Sequence, residues 1–326
     1  MRDGPTHAKS KKQADKYRWI RCSWGMRQLL LRPTARRRGT FSTGIRVRRF
    51  AYSAALLCLF AAVEARAACS LSAPERASVA TIKDGETLVL TDGRTVRLIA
   101  LAPAPPLGWR DDKPWPMVRE AKAALANLAE GRDAELKFGG RREDRHGHLL
   151  AHAFVLHGEQ RIWLQDALIA QGLARAYSFP DNLACFSELS LREAAARRAE
   201  RGLWAVSAYR VRDAADAEDL GRLVHSYQLV EGSIAAVGEG AGRVYLNFGE
   251  DWRKDFTVTI ERKDVAAFAA AGIDLKGLTG KRIRARGWLQ WRGGPEIRAS
   301  DAEQIEVLED GETVQDQSGQ KETPSP

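Results

Sequence analysis

The tract Lys83–Pro106, KDGETLVLTDGRTVRLIALAPAPP, constrains the fold of this 326-residue chain more than any other segment. Asp84-Gly85 and Asp92-Gly93 each carry hairpin-turn chemistry, with glycine free to take positive φ and aspartate able to bond its own backbone. Strands are therefore predicted over Ser78–Lys83, Glu86–Asp92 and Thr95–Leu101. Arg97 falls inside the third strand, where a buried cation needs an anionic partner. The exit reads Ala102, Pro103, Ala104, Pro105, and none of these side chains can accept a hydrogen bond.

Downstream the period changes. Val118, Ala121, Leu125 and Leu128 recur at helical spacing, and Gly131 stops the run, so a helix is predicted over 114–130. Strands follow over Asp133–Phe138 and Leu149–Leu156, with a turn at His157-Gly158. A short helix is expected over Trp163–Gln171 and a longer one over Glu188–Arg201, each ended by a glycine. Five strands with a helix inserted after the third are the order of a small oligonucleotide-binding-type barrel. The fold class is mainly β with α, or α+β.

The net charge of +9 does not describe the whole chain. Residues 1–67 hold 16 of the 51 Lys/Arg but 3 of the 42 Asp/Glu; the remainder has 35 basic and 39 acidic residues, a balance of −4. The basicity is thus a property of a leader and is no nucleic-acid footprint. Arg46, Arg48 and Arg49, the 13-residue apolar run Ala51–Val63 and the small-x-small triplet Ala65-Arg66-Ala67 have the layout of a Gram-negative-type secretory signal, leaving Ala68 as the mature N-terminus. The run is short of the roughly 20 residues of a membrane span, so no stable transmembrane anchor is expected. The 45 residues before Arg46 fit a start codon assigned too far upstream. Export to the periplasm or medium agrees with the two cysteines of the mature part, Cys69 and Cys185. They are either a disulfide or two buried thiols.

Five tracts, D-G-E-T-L at 84–88, V-R-L-I at 96–99, D-R-H-G-H-L-L-A at 144–151, Q-G-L-A-R at 171–175 and A-A-A-R-R-A-E-R-G-L-W at 194–204, resemble in order the thermonuclease, or staphylococcal-nuclease-like, family. The resemblance implies a barrel over 68–204 and a calcium-dependent hydrolysis of DNA or RNA. It places Glu86 at the first metal carboxylate, one methylene longer than the family's aspartate, and Arg97 at the first catalytic arginine. The other reading of Glu86 is a solvated residue after a turn. The resemblance puts Ala102 and Pro105 where the family has a second metal ligand and the catalytic glutamate, and His148 where it has the second arginine. Asp111 and Asp112 follow in a loop that could reach back to the mouth. Tyr177 and Phe179 fall where the family stacks substrate bases, and they also suit a core cap. His146, His148 and His152 share strand parity, which a transition-metal site would require and a plain strand face would also show.

A linker of helical composition spans 205–223. A second small barrel is expected over 224–308, with strands at Leu229–Val237, Arg243–Phe248, Phe256–Ile260, Arg282–Leu289 and Gln304–Leu308 and a helix at Asp264–Ala271. Its tract G-R-V-Y-L-N-F-G at 242–249, with D-F-T-V at 255–258, resembles extensions of some bacterial family members. Arg282–Arg286 and Arg292–Arg298, with Trp288 and Trp291 between, read either as a basic patch or as a solvated strand face with core tryptophans. Residues 309–326 have the composition of a disordered tail.

Two functions stay open. One is an exported binding or scaffolding module, a pseudoenzyme with no cofactor, whose partner is nucleic acid or a protein or envelope polymer. The other is a divergent nuclease using Arg97 and Glu86 with Ca2+ or another divalent metal.

Overall fold

The computed structural model describes residues 69–105, 115–158 and 160–308. The leader, Asp111, Asp112 and the 309–326 tail lie outside the described residues. Strands β1 (Glu75–Ile82), β2 (Thr87–Leu90) and β3 (Thr95–Leu98) form an antiparallel meander over the two aspartate–glycine turns. The third predicted strand is broken: Ala100 takes φ 62°, and the chain resumes as β4 (Leu101–Pro103). Helix α1 (Val118–Ala129) buries Ala121, Leu125 and Ala129 and ends at Gly131, whose φ of 71° suits glycine. Strands β5 (Asp133–Lys137) and β6 (Leu149–His157) follow. β1 pairs β5, β5 pairs β6, and β6 runs parallel to β3 with Val96 opposite Leu149, which closes a five-stranded ring. Full closure leaves no open sheet edge within the ring.

Strand β7 (Gln160–Trp163) adds to the outside of β6, and α2 (Leu164–Ala170) leads to β8 (Ala174–Ala176), which pairs with β4. Helix α3 (Phe186–Arg198) follows, and Cys185 at its N-cap is disulfide-bonded to Cys69. Gly172 and Gly202 meet back to back. The Leu203 N–H donates to Gly172 O at 2.8 Å, and both glycines have positive φ. This is why the two tracts of the sequence that contain them carry glycine there.

The segment expected as a helical linker is instead packed chain. Two 3-10 turns, Gly202–Ala205 and Ser207–Tyr209, bury Trp204, Ala208 and Tyr209; β9 (Arg212–Asp213) and the short α4 (Ala217–Gly221) follow. Tyr209 and Arg212 are drawn inward, β9 pairing parallel with β10 (Tyr227–Ser233). The second barrel continues through β11 (Ala236–Gly240), β12 (Arg243–Asn247), β13 (Thr257–Glu261), α5 (Val265–Ala270), β14 (Arg282–Trp291), β15 (Pro295–Ala299) and β16 (Ile305–Val307). β10 and β11 are one bent strand interrupted at Ile234–Ala235, which bonds Lys281 O on one side and Asn247 O on the other. β13 and β15 are parallel, as β3 and β6 are in the first barrel. The fifth strand of this barrel is therefore Pro295–Ala299. The predicted 304–308 strand is an addition on β14. Glycine and arginine interruptions hid β15 from a simple alternation pattern.

Candidate functional site at the mouth of the first barrel

The hairpin that makes the fold also makes the site. Asp84 Oδ1 accepts the Glu86 N–H at 2.9 Å, closing the turn and starting β2. Glu86 O accepts the Leu98 N–H at 2.8 Å, so Glu86 and Arg97 stand side by side on paired strands. Arg97 Nη2 lies 3.0 Å from Glu86 Oε1. The anionic partner that Arg97 needs is thus the neighbouring strand's own carboxylate. Burial pushes the Glu86 carboxyl up to about 7 against the pull of Arg97, and the Asp84 charge adds to the rise. The buried Arg97 Nε has no hydrogen-bond partner. Arg97 Cζ sits 5.6 Å from the centre of the Phe179 ring, which lies 4.5 Å from that of Tyr177. The four residues Glu86, Arg97, Phe179 and Tyr177 therefore form one continuous line.

Beyond Glu86 the mouth is apolar. A Cβ built on Gly85 would come 3.0 Å from Pro103 Cβ, so Pro103 lies against the turn that carries Glu86. Ala102 pairs with Arg175 across β4 and β8, and Ala104 is buried in the core shared by the two barrels. A calcium ion takes about six to eight oxygen ligands. The donor set does not fit one: Glu86 is engaged by Arg97 and raised to about 7, Asp84 Oδ1 is bonded to the turn's own backbone, and Ala102 to Pro105 offer no side-chain acceptor. Among the described residues no three His, Cys, Asp or Glu side chains are grouped to hold any metal.

The three histidines separate. His148 Nδ1 is 2.9 Å from Asp144 Oδ2, and the two rings of His146 and His148 are 5.9 Å apart at the turn before β6. Partial burial opposes ionisation of Asp144, yet the backbone N–H groups of His148 and His146 hold its carboxyl below the ordinary range. His152 is fully buried edge-on to Trp163, and burial lowers its pKa to about 4. It is neutral core. Strand parity put the three on one face, but only the first two reach the surface.

Residues 95–206 match the family of staphylococcal nuclease homologues. The chain carries a thermonuclease-like domain. The matched stretch begins at β3, so the Glu86 turn precedes it, although β1 and β2 complete the same ring. No curated protein matches the chain.

The thermonuclease-like domain does not end at its own surface. The Tyr177 ring lies 4.9 Å from Tyr227 on β10, and its hydroxyl accepts the Trp288 Nε1–H at 3.2 Å. Trp288, from β14, is 47% exposed and extends the aromatic line onto the second barrel. Behind it Arg175, fully buried, donates to Tyr227 O at 2.6 Å with the Tyr209 and Tyr227 rings 5.2 and 5.0 Å away. Both sequence readings of 282–298 need correction. Arg284 and Arg286 are buried and paired with Glu231, Glu306 and Glu193, so they form no basic patch; Trp288 and Trp291 are exposed and are no core. The sequence brings Trp288 forward only as part of the 282–298 tract and does not bring Tyr227 forward at all, because strand alternation does not say which face another domain will cover.

Proposed function

We propose that this protein is exported and uses its thermonuclease-like domain to bind single-stranded nucleic acid without cleaving it. One observation carries this reading: Arg97 spends its charge on Glu86 and the Phe179 face, beside a tract, Ala102 to Pro105, that lacks acceptors for a metal or a base for water. Binding needs only what remains. Phe179, Tyr177 and Trp288 offer stacking surfaces, each worth about 1–3 kcal/mol per base, and the Arg97 side chain, 39% exposed, keeps a cation beside them. Export is supported by the Arg46–Ala67 signal layout and by the Cys69–Cys185 disulfide a few residues after the cleavage triplet. Among the described residues no helix is long and apolar enough to cross a membrane.

The test uses the chain from Ala68, incubated with plasmid and RNA in Ca2+, Mg2+, Mn2+ or Zn2+, and with a labelled single-stranded oligonucleotide in an anisotropy titration. The expected result is no cleavage, and saturable binding weakened by Phe179→Ala and by Trp288→Ala. Metal-dependent cleavage abolished by Arg97→Ala would replace this reading with a divergent nuclease working through Arg97 and Glu86. No oligonucleotide binding would leave a protein or envelope polymer as the partner.

A further inference from the structure

A cavity of about 460 Å3 lies where the Ser207–Tyr209 turn, β9 and α4 meet. Arg210, Arg212 and Arg222 line it with a single carboxylate, Asp219; Trp115 and Leu223 supply apolar wall. All three guanidinium groups share that one aspartate, at 3.2, 3.1 and 4.0 Å. Glu218 also pairs with Arg222, but its side chain is 84% exposed, and such a surface pair contributes little.

Arg212 is the unusual member. Its side chain is 5% exposed, it donates to Ala208 O at 2.7 Å and to Asp219, and its buried Nε has no partner. Burial lowers its pKa, with Asp219 opposing. A buried cation that shares its only counter-ion with two others is poorly compensated, and removing cations from water is costly unless charge and hydrogen bonds are restored. The lining charges sum to +2.

We propose that this cavity binds a small organic phosphate monoester, its dianion held by the arginines and its ring or apolar body against Trp115 and Leu223. The charge excess matches a phosphate dianion better than a lone carboxylate. Planar guanidinium forks match phosphate oxygens bidentately. The volume is larger than inorganic phosphate needs, and it lies in the range of small-molecule pockets of about 300–1,000 Å3. The site shares no lining residue with the Glu86–Arg97 mouth, so it stands or falls independently of oligonucleotide binding.

Isothermal titration and thermal-shift measurements on the chain from Ala68 would use phenyl phosphate, inorganic phosphate and phenol. Phenyl phosphate should bind and raise the midpoint, inorganic phosphate should bind more weakly, and phenol should not bind. Arg210 and Arg222 have side chains 55% and 63% exposed, so a double Arg210→Gln, Arg222→Gln variant retains the buried Arg212 and its fold, to be checked by circular dichroism. It should weaken phenyl phosphate by about tenfold or more, the loss expected for charge-assisted hydrogen bonds. Asp219→Asn should lower the midpoint in buffer and regain it in phenyl phosphate. Arg253→Gln, at an exposed arginine elsewhere, should leave the affinity for phenyl phosphate unchanged. Absence of binding by phenyl phosphate, equal affinity for inorganic phosphate, or an undiminished affinity in the double variant would each overturn the assignment.

Discussion

Glu193 Oε2 lies 2.9 Å from Arg286 Nη1, and the two residues belong to different barrels. Neither side chain is more than 4% exposed. Glu193 Oε1 also accepts the Ala176 N–H at 2.8 Å, and Arg286 donates to Ala176 O at 3.2 Å, so the pair closes over the end of β8. Burial alone would lower the Arg286 pKa, but the Glu193 carboxylate reverses that and raises it. Breaking one partner of such a pair leaves a buried charge uncompensated, which costs about 3–5 kcal/mol. Glu193→Gln should therefore lose roughly that much in urea unfolding, and Glu193→Leu with Arg286→Met should recover most of it. The wild-type chain should unfold in one transition, because the barrels share a core of Trp115, Trp204, Tyr209 and Tyr227. Two separated transitions would show that the interface couples nothing.

Glu86 gives a pH prediction with a definite sign. Its pKa rises from 4.5 to about 7 on folding, so the native state binds more protons than the unfolded chain across that range. Stability from this group falls as pH rises from about 4.5 to 7, by about 1–3 kcal/mol. Glu86→Gln cannot ionise and should gain stability relative to wild type between pH 5 and pH 8. Denaturation midpoints at the two pH values measure this, and a relative stability independent of pH would contradict the burial of the carboxyl.

His152 acts in the opposite sense. Its pKa falls from 6.5 to about 4, so the unfolded chain binds the extra proton and stability is lost as pH drops from about 6.5 to 4. His152→Leu should gain on wild type as acid is added, by about 3 kcal/mol at most. The two windows overlap, so the wild-type profile between them should be flatter than that of either variant.

The turns, the inserted helix and the family tracts made the first barrel legible, because each is local chemistry: Asp84-Gly85, Asp92-Gly93, the Ala121–Leu125 stripe and Gly131. Arg97 was legible as a cation needing a partner, and the missing acceptors at Ala102 and Pro105 were plain. The partner itself was not, since Glu86 reaches Arg97 through strand register. Nor was the joint between the barrels. One signal was available: Glu193 lies on the stripe of Phe186, Leu189 and Ala196, a carboxylate at a core position of α3. A buried acid on an apolar stripe points to a cation from outside the helix. Arg286 could not be named from sequence, because its strand alternates like any other and the covering surface is remote.

The Cys69–Cys185 disulfide closes a loop of 116 residues that contains the whole first ring. Loop closure of that length in the unfolded chain gives about 3–5 kcal/mol in the entropy model. Reduction with dithiothreitol, or Cys185→Ser, should lower the thermal midpoint by several degrees while leaving the far-ultraviolet circular dichroism of the folded state in place. An unchanged midpoint would mean that the bond constrains nothing the fold does not already hold.

Gly202 and Gly93 separate two reasons for a glycine. Gly93 has φ 85° with nothing within 4 Å of a built Cβ, so Gly93→Ala should cost about 1 kcal/mol for backbone strain alone. Gly202 has φ 55°, and its Cβ would fall 2.4 Å from Gly172 O, the carbonyl that accepts the Leu203 N–H. An alanine there must both adopt the left-handed region and push apart two backbone segments that bury Leu203 and Trp204. The cost should exceed that at Gly93 by about 2 kcal/mol or more, as expected when strain and overpacking combine. Urea midpoints of the two alanine variants test this directly. Equal losses would show that the close approach of Gly172 and Gly202 relaxes without penalty.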